Sequence, residues 1–177
     1  MKKQKYKMII GIIGGHFHNT NKQALSIAEK TGEILAKRNL AVACGGEDGI
    51  MEAVCKGCKK AGGTTIAIMK GNKKSLANKY IDYVIPTSLD LAFMNVLVWA
   101  SDGLIAFDGK YGTMSELGLA LDIGRPIVAL GEHQLINKKD IDSPDFAYYD
   151  HYDQKKLTQA IDHLLKMIKN YDNKHEK

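Results

Sequence analysis

The sequence predicts an α/β protein: a Rossmann-like three-layer fold with a parallel sheet and helices on both faces. Strand-like and helix-like segments alternate with almost no linker, the pattern of a parallel sheet with crossover helices. The strand-like runs "KMIIGII" (7–13) and "IVAL" (127–130) are continuously apolar. Strands covered on both faces read this way. Glycine turns follow three of the runs: Gly14-Gly15, Gly45-Gly46 and the stretch Gly109 to Gly112.

The elements follow in order. After the strand 7–13, a helix is expected from about Asn21 to Arg38, with Ala24, Ile27, Ala28, Ile34 and Leu35 on one side. "LAVAC" (40–44) is a strand, and a helix runs from about Asp48 to Ala61, ended by Gly62-Gly63. "TTIAIM" (64–69) is a third strand, followed by a Lys-rich surface loop over 70–80 and a short strand, "YVIPT" (83–87). A helix from Leu89 to Ala100, a strand "LIAF" (104–107), a helix over 113–123 and the strand 127–130 complete the regular part. From Glu132 to Asp153 the pattern dissolves into a polar, tyrosine-containing loop. A last helix carries Leu157, Ile161, Leu164, Leu165 and Ile168 as an apolar stripe. The chain of 177 residues fits one domain, 1–177, with a polar, frayed tail from about residue 171.

Composition narrows the function classes. The formal charge is +5, but arginine occurs only at Arg38 and Arg125. The lysines are scattered and gather at the ends (Lys2, Lys3, Lys5, Lys7; Lys166, Lys169, Lys174, Lys177), a solvated surface rather than a nucleic-acid stripe. The apolar run after the N-terminal lysines is short and leads into "GGHFHN" without a small-residue cleavage site, so it reads as a buried strand. The most apolar stretch, 89–107, contains Asp90, Asn95, Ser101 and Asp102 and is too polar to span a bilayer. The chain therefore reads as cytoplasmic. Cys44, Cys55 and Cys58 read as small, partly buried residues, because a zinc site would need two further ligands. His16 and His18 flank Phe17 and lack a clear third ligand, so no metal is expected.

The glycine turns carry the functional expectation. All three lie at carboxyl ends of strands, so they face one edge of the sheet and lead into helix N-termini. Bare backbone N–H groups and helix dipoles converge there, which suits a phosphate. Gly14, Gly15, Gly45, Gly46, Gly109, Lys110, Gly112 and Thr113 are the candidate phosphate-binding residues. Thr113-x-x-Glu116 also fits a capping box, in which the hydroxyl and the carboxylate satisfy the first N–H groups of a helix. Neither G-x-G-x-x-G nor G-K-[ST] is present.

"GGEDGIMEAVCKGCKKAGGTTIAI" (45–68) and "GKYGTMSELGLALDIGRPIVAL" (109–130) resemble the two signatures of the Lonely Guy superfamily, formerly labelled possible lysine decarboxylases. The first matches Gly-Gly-x-x-Gly-x-Met-Glu-Ala through Gly45, Gly46, Gly49, Met51, Glu52 and Ala53; the second matches Pro-Gly-Gly-x-Gly-Thr-x-x-Glu. The resemblance covers about residues 7 to 130. It is nearest to a short bacterial and archaeal branch similar to the molybdenum-cofactor carrier proteins, which bind a phosphorylated pterin and do no hydrolysis. The resemblance implies a homodimer binding a nucleoside monophosphate or a molybdopterin-type cofactor as carrier or sensor. The alternative it implies is a nucleoside 5'-monophosphate phosphoribohydrolase, in which Glu116 is catalytic and works at the ribose beside an arginine of the preceding helix. Two departures stand out. Asp108 and Lys110 occupy positions where Pro or Gly is usual, and the preceding helix offers Phe93, Met94 and Asn95 but no arginine. A third reading is a dimer whose glycine turns serve only the fold. Nothing marks a pyridoxal-phosphate lysine, so lysine decarboxylation is set aside.

Overall fold

Among the described residues, seven strands form one parallel sheet in the order β4-β3-β2-β1-β5-β6-β7. The computed structural model describes residues 7–16, 18, 20–131, 141–150 and 152–175. The strands are β1 (Ile9–Ile13), β2 (Ala41–Cys44), β3 (Thr65–Met69), β4 (Tyr83–Pro86), β5 (Gly103–Ala106), β6 (Ile127–Leu130) and β7 (Phe146–Tyr149). The helices are α1 (Lys22–Lys37), α2 (Ile50–Lys60), α3 (Phe93–Ala100), α4 (Tyr111–Asp122) and α5 (Gln154–His175).

The strand period of two divides the core. Ile10, Ile12, Val42, Cys44, Ile105 and Val128 face α1, α2 and α5. Ile13, Ala43, Ile68, Leu104, Ala106 and Ala129 face α3 and α4. Each fully buried Ile or Leu stabilises the fold by about 1.5–3 kcal/mol relative to exposure. The two helical layers are unequal. The α3 layer leaves Tyr83, Ile85, Leu91 and Trp99 largely exposed, and Leu91 and Trp99 retain 67% and 61% of their accessible surface.

The expected order of elements is present, with four corrections. The helix expected over 89–100 is divided: Asp90–Ala92 is a single 3-10 turn and α3 begins at Phe93. Ser88 and Asp90 take left-handed φ values of 55° and 48°, which blocks a helix from starting at Leu89. The stretch expected to be an irregular loop contains β7, paired with β6 from Ile127↔Phe146 to Leu130↔Tyr149. Its aromatic side chains suit a pleated surface, but a strand of four residues is too short to show a period. Residues 132–140 lie outside the described residues, as do Lys2, Lys3, Lys5 and Lys177. The expected frayed tail is helical, since α5 continues to His175. The fourth correction, at α4, bears on the site below. Among the described residues, no helix is long and apolar enough to cross a membrane.

The helices α1 and α2 touch backbone to backbone. A Cβ on Gly32 would run into the Val54 carbonyl, and one on Gly57 into the Glu29 carbonyl. Asn21 caps α1, its Oδ1 accepting the Ala24 N–H at 2.7 Å. Gly57→Ala should therefore force the helices apart and lower unfolding free energy by about 1–3 kcal/mol. A denaturant midpoint equal to wild type would show that the helices do not pack this closely.

Candidate functional site

The sheet order reverses direction between β1 and β5. In open α/β sheets that switch point is where a crevice opens beyond the strand ends. The turns after β1, β2 and β5 meet there and are stitched by backbone hydrogen bonds. The Gly15 N–H donates to the Asp108 carbonyl at 2.6 Å, and the Ile50 N–H donates to the Gly15 carbonyl at 3.1 Å. Asn78 fixes the second turn, donating from its backbone to the Gly46 carbonyl at 2.8 Å and from Nδ2 to the Glu47 carbonyl at 2.9 Å.

These turns enclose a cavity of about 230 Å3. Of the expected residues, Gly14, Gly15 and Gly45 line it from the first two turns, and Lys110, Gly112, Thr113 and Glu116 from the third. Gly46 and Gly109 are not among the lining residues. Gly46 backs onto Ala67 with φ of 80°, and Gly109 lies behind Thr113, whose side chain would collide with a Cβ there. Both are spacers that bring their neighbours to the cavity wall.

The capping box is not formed. α4 begins at Tyr111, with Lys110 at the cap and no side-chain cap hydrogen bond. Thr113 is thus the third helical residue rather than the cap, whose role needs an extended backbone. Thr113 and Glu116 stand one turn apart on one face, and both are buried against the cavity. The first N–H groups of α4 have no intrahelical acceptor and no side-chain cap, so this end of the helix can receive an anion.

Sequence reasoning missed several lining residues. His16, Glu47 and Lys70 add charge; Met51, Phe93 and Met94 add an apolar wall. Lys70 Nζ lies 3.4 Å from Glu47, and His16 contacts Asp48 at 2.7 Å and Glu47 at 3.5 Å. Loops far apart in the chain converge here, so no local pattern signals the group. Lys70 directly follows β3, which was its one available sign.

Glu116 is 8% exposed and makes no salt bridge among the described residues. Burial, and secondarily the charge of Glu47, push its carboxyl up to about 8. At neutral pH it is a neutral acid that can donate a hydrogen bond. Asp108 is not among the lining residues: its N–H donates to the Tyr152 hydroxyl at 3.2 Å. Neither arginine reaches the cavity. Arg38 pairs with Asp162 at 2.6 Å, and Arg125 lies against the rings of Trp99 and Tyr171. Where the resemblance implied an arginine, α3 presents Phe93 and Met94.

Among the described residues, no group of three or more His, Cys, Asp or Glu side chains is placed to hold a metal ion. The three cysteines are free and fully buried, not partly so, with Cys44 and Cys55 sulfurs 3.7 Å apart.

Fold and cavity define a Rossmann-like α/β protein with a glycine-walled cavity at the switch point of its sheet. The chain belongs to the SLOG cluster4 family, whose model matches residues 7–156. It is 37% identical over 123 residues to an uncharacterized protein of Archaeoglobus fulgidus, covering 70% of this chain and 80% of that one. Its structure is similar to the molybdenum cofactor carrier protein of Chlamydomonas reinhardtii, with 30% identity and a TM-score of 0.81 over 91% of this chain and 99% of that one. It is also similar to the molybdenum cofactor binding protein of the phototrophic bacterium Rippkaea orientalis, with 33% identity and a TM-score of 0.71 over 75% of this chain and 81% of that one.

The raised Glu116 sets a pH dependence of stability. The folded state keeps a proton that the unfolded chain releases near its ordinary value of 4.5. This contribution is fully present below that value and is lost as pH rises toward about 8, by at most about 1.4 kcal/mol per pH unit. Glu116→Gln removes the titration. Its melting temperature should fall less than that of wild type between pH 5 and pH 8, and parallel curves would refute the neutral acid.

Proposed function

We infer that this protein binds a phosphorylated, nucleotide-like ligand at the carboxyl edge of its sheet and acts as a carrier or sensor rather than a hydrolase. The ligand class is a nucleoside monophosphate or a molybdopterin-type cofactor. One observation carries the reading: the uncapped N-terminus of α4 and the buried Glu116 share a small cavity that no arginine enters. Gly112, Thr113 and Lys110 receive the phosphate. Gly14, Gly15 and Gly45 let the ligand approach the backbone, and Met51, Phe93 and Met94 receive an apolar ring. A cavity of about 230 Å3 suits one phosphorylated ring system better than a dinucleotide. Two similar structures, both of molybdenum cofactor proteins, favour the pterin member of the class. The free, buried thiols fit a reducing compartment, and the cytoplasm is the proposed location.

The hydrolase reading needs Glu116 ionised beside a cation, to stabilise charge on a breaking glycosidic bond. Losing one positioned charge typically costs about 2.7–4 kcal/mol, a hundredfold or more in rate. Native mass spectrometry of freshly purified protein should find a phosphorylated small molecule bound. A panel of ribotide substrates followed by chromatography should release almost no free base. Turnover near one per second that vanishes in Glu116→Ala would restore the enzyme.

Thr113 separates binding from folding. Hydrogen bonds to a charged group contribute roughly 1.5–3 kcal/mol, so Thr113→Ala should weaken GMP binding about tenfold or more. Calorimetric titration beside a melting curve checks this; equal affinity in the two proteins would remove Thr113 from the phosphate site.

A homodimer belongs to the same reading. The α3 side of the sheet exposes Tyr83, Ile85, Leu89, Leu91 and Trp99, and a second copy would cover them. Sedimentation at micromolar concentration should give a dimer; a monomer would refute it.

A further inference from the structure

The cavity combines one uncapped helix end with an acid one turn further along the same face. Thr113 and Glu116 are both buried, and both line the wall. A phosphate seated on the first turn of α4 would lie close to the Glu116 carboxyl. The charged groups facing that carboxyl come from four segments: His16 after β1, Glu47 after β2, Lys70 after β3 and Lys110 before α4. α3 contributes only apolar groups there, Phe93 and Met94. Lys70 is engaged by Glu47 at 3.4 Å, and His16 by Asp48 and Glu47. Lys110 is exposed at the helix end and stands nearly two turns from Glu116. Among the described residues, no cation therefore offsets a negative Glu116, and a phosphate would add repulsion to a site where Glu47 already supplies it.

We propose that Glu116 is a proton-coupling residue: the cavity takes up a phosphorylated ligand together with one proton on the Glu116 carboxyl, and releases the ligand when that proton leaves. This rests on the reading of the cavity as a phosphate site. The linkage is reciprocal. An anion beside the acid stabilises its protonated form, and the protonated form favours the anion. The neutral acid also has a use. Its O–H is a hydrogen-bond donor, so the ligand atom that meets it is an acceptor, such as a ring nitrogen or a carbonyl or ether oxygen. A ligand presenting an ammonium or an N–H at that point is disfavoured. The coupling explains how a cavity with an unpaired acid can serve a ligand that is itself an anion.

Two measurements test the coupling. The first needs no ligand. Carboxyl carbon NMR of glutamate-labelled protein, with the Glu116 signal identified by its absence in Glu116→Gln, should titrate with a midpoint near 8. A midpoint in the ordinary range near 4.5 overturns the proposal. The second is calorimetric titration with GMP at alkaline pH, in buffers of different ionisation enthalpy. At pH 8.5 the ribotide phosphate is already a dianion, and the small contribution of the guanine N1–H is common to both proteins, so the difference in proton uptake reports Glu116. Wild type should take up roughly half a proton or more per GMP bound beyond what Glu116→Gln takes up. Wild-type affinity should fall about tenfold or more from pH 7 to pH 9.5, following the lost protonated fraction, while Glu116→Gln changes far less. Equal proton uptake in both proteins, or an equal fall in affinity, overturns the coupling. Wild-type protein that shows the raised midpoint yet binds neither GMP nor inorganic phosphate instead refutes the phosphate site, and the coupling falls with it. A normal midpoint with intact GMP binding refutes the coupling alone.

Discussion

Gly15 is the residue on which the arrangement of the site depends. Both of its backbone polar groups are used, one toward the β5 turn and one toward the start of α2. Each bond contributes about 1 kcal/mol net, but leaving either buried partner unpaired costs about 1–3 kcal/mol. The two bonds fix three turns that are far apart in sequence into one wall. They also decide which helix end faces the cavity with its donors unused. α1 is capped by Asn21, and the first N–H of α2 is taken by the Gly15 carbonyl. α4 has no side-chain cap. α2 has no side-chain cap either, but its first N–H is already taken, which leaves the start of α4 the more open of the two to an anion.

The layers behind this edge are packed differently. The side bearing α1, α2 and α5 is filled by a continuous core, and the close contact of Gly32 and Gly57 brings α1 and α2 backbone to backbone. Among the described residues, the other side carries only α3 and α4, and α3 is short. α3 also supplies Phe93 and Met94 to the cavity, while Leu91 lines the cavity and is largely exposed. Ligand wall and uncovered apolar surface are therefore continuous through one short element, so whatever covers that surface also sets the position of the wall.

Much of this was legible in the sequence. Continuous apolar runs and glycine turns gave six strands, four helices in nearly their observed places, and a shared edge. Period-based reading could not find β7, because a strand of four residues with aromatic side chains shows no alternation. It misplaced the start of α4 because Thr-x-x-Glu satisfies the rule for a cap as well as for a helical face. Here the glycine at position 112 lies inside the helix, and the box is displaced into its first turns. Seven of nine candidate site residues line the cavity; Gly46 and Gly109 do not, since glycines serve close packing as readily as ligand approach. Glu47 and Lys70 were missed because their role exists only once β2 and β3 lie side by side.

The state of Glu116 separates the two functions implied by its motif. A carboxylate that stabilises positive charge on a sugar must be ionised, and it is ionised cheaply only beside a cation or in water. Here the Glu116 side chain is buried, the nearby lysine on the β3 side is held by Glu47, and α3 offers an aromatic ring and a thioether. Those groups lower the local polarity and favour the acid form. The apolar residues that stand where the resemblance implies a cation thus also suppress the charge that cation would have balanced. On the proposed reading, a site that keeps Glu116 as a neutral acid with no cation beside it offers an acceptor-seeking donor and lacks the electrostatic means to break a glycosidic bond. The loss is internally consistent, as it would not be had the carboxylate stayed charged without its partner: a buried, unpaired charge would destabilise the fold at neutral pH. The neutral state of Glu116 thus serves the stability of the chain and the proposed carrier reading alike.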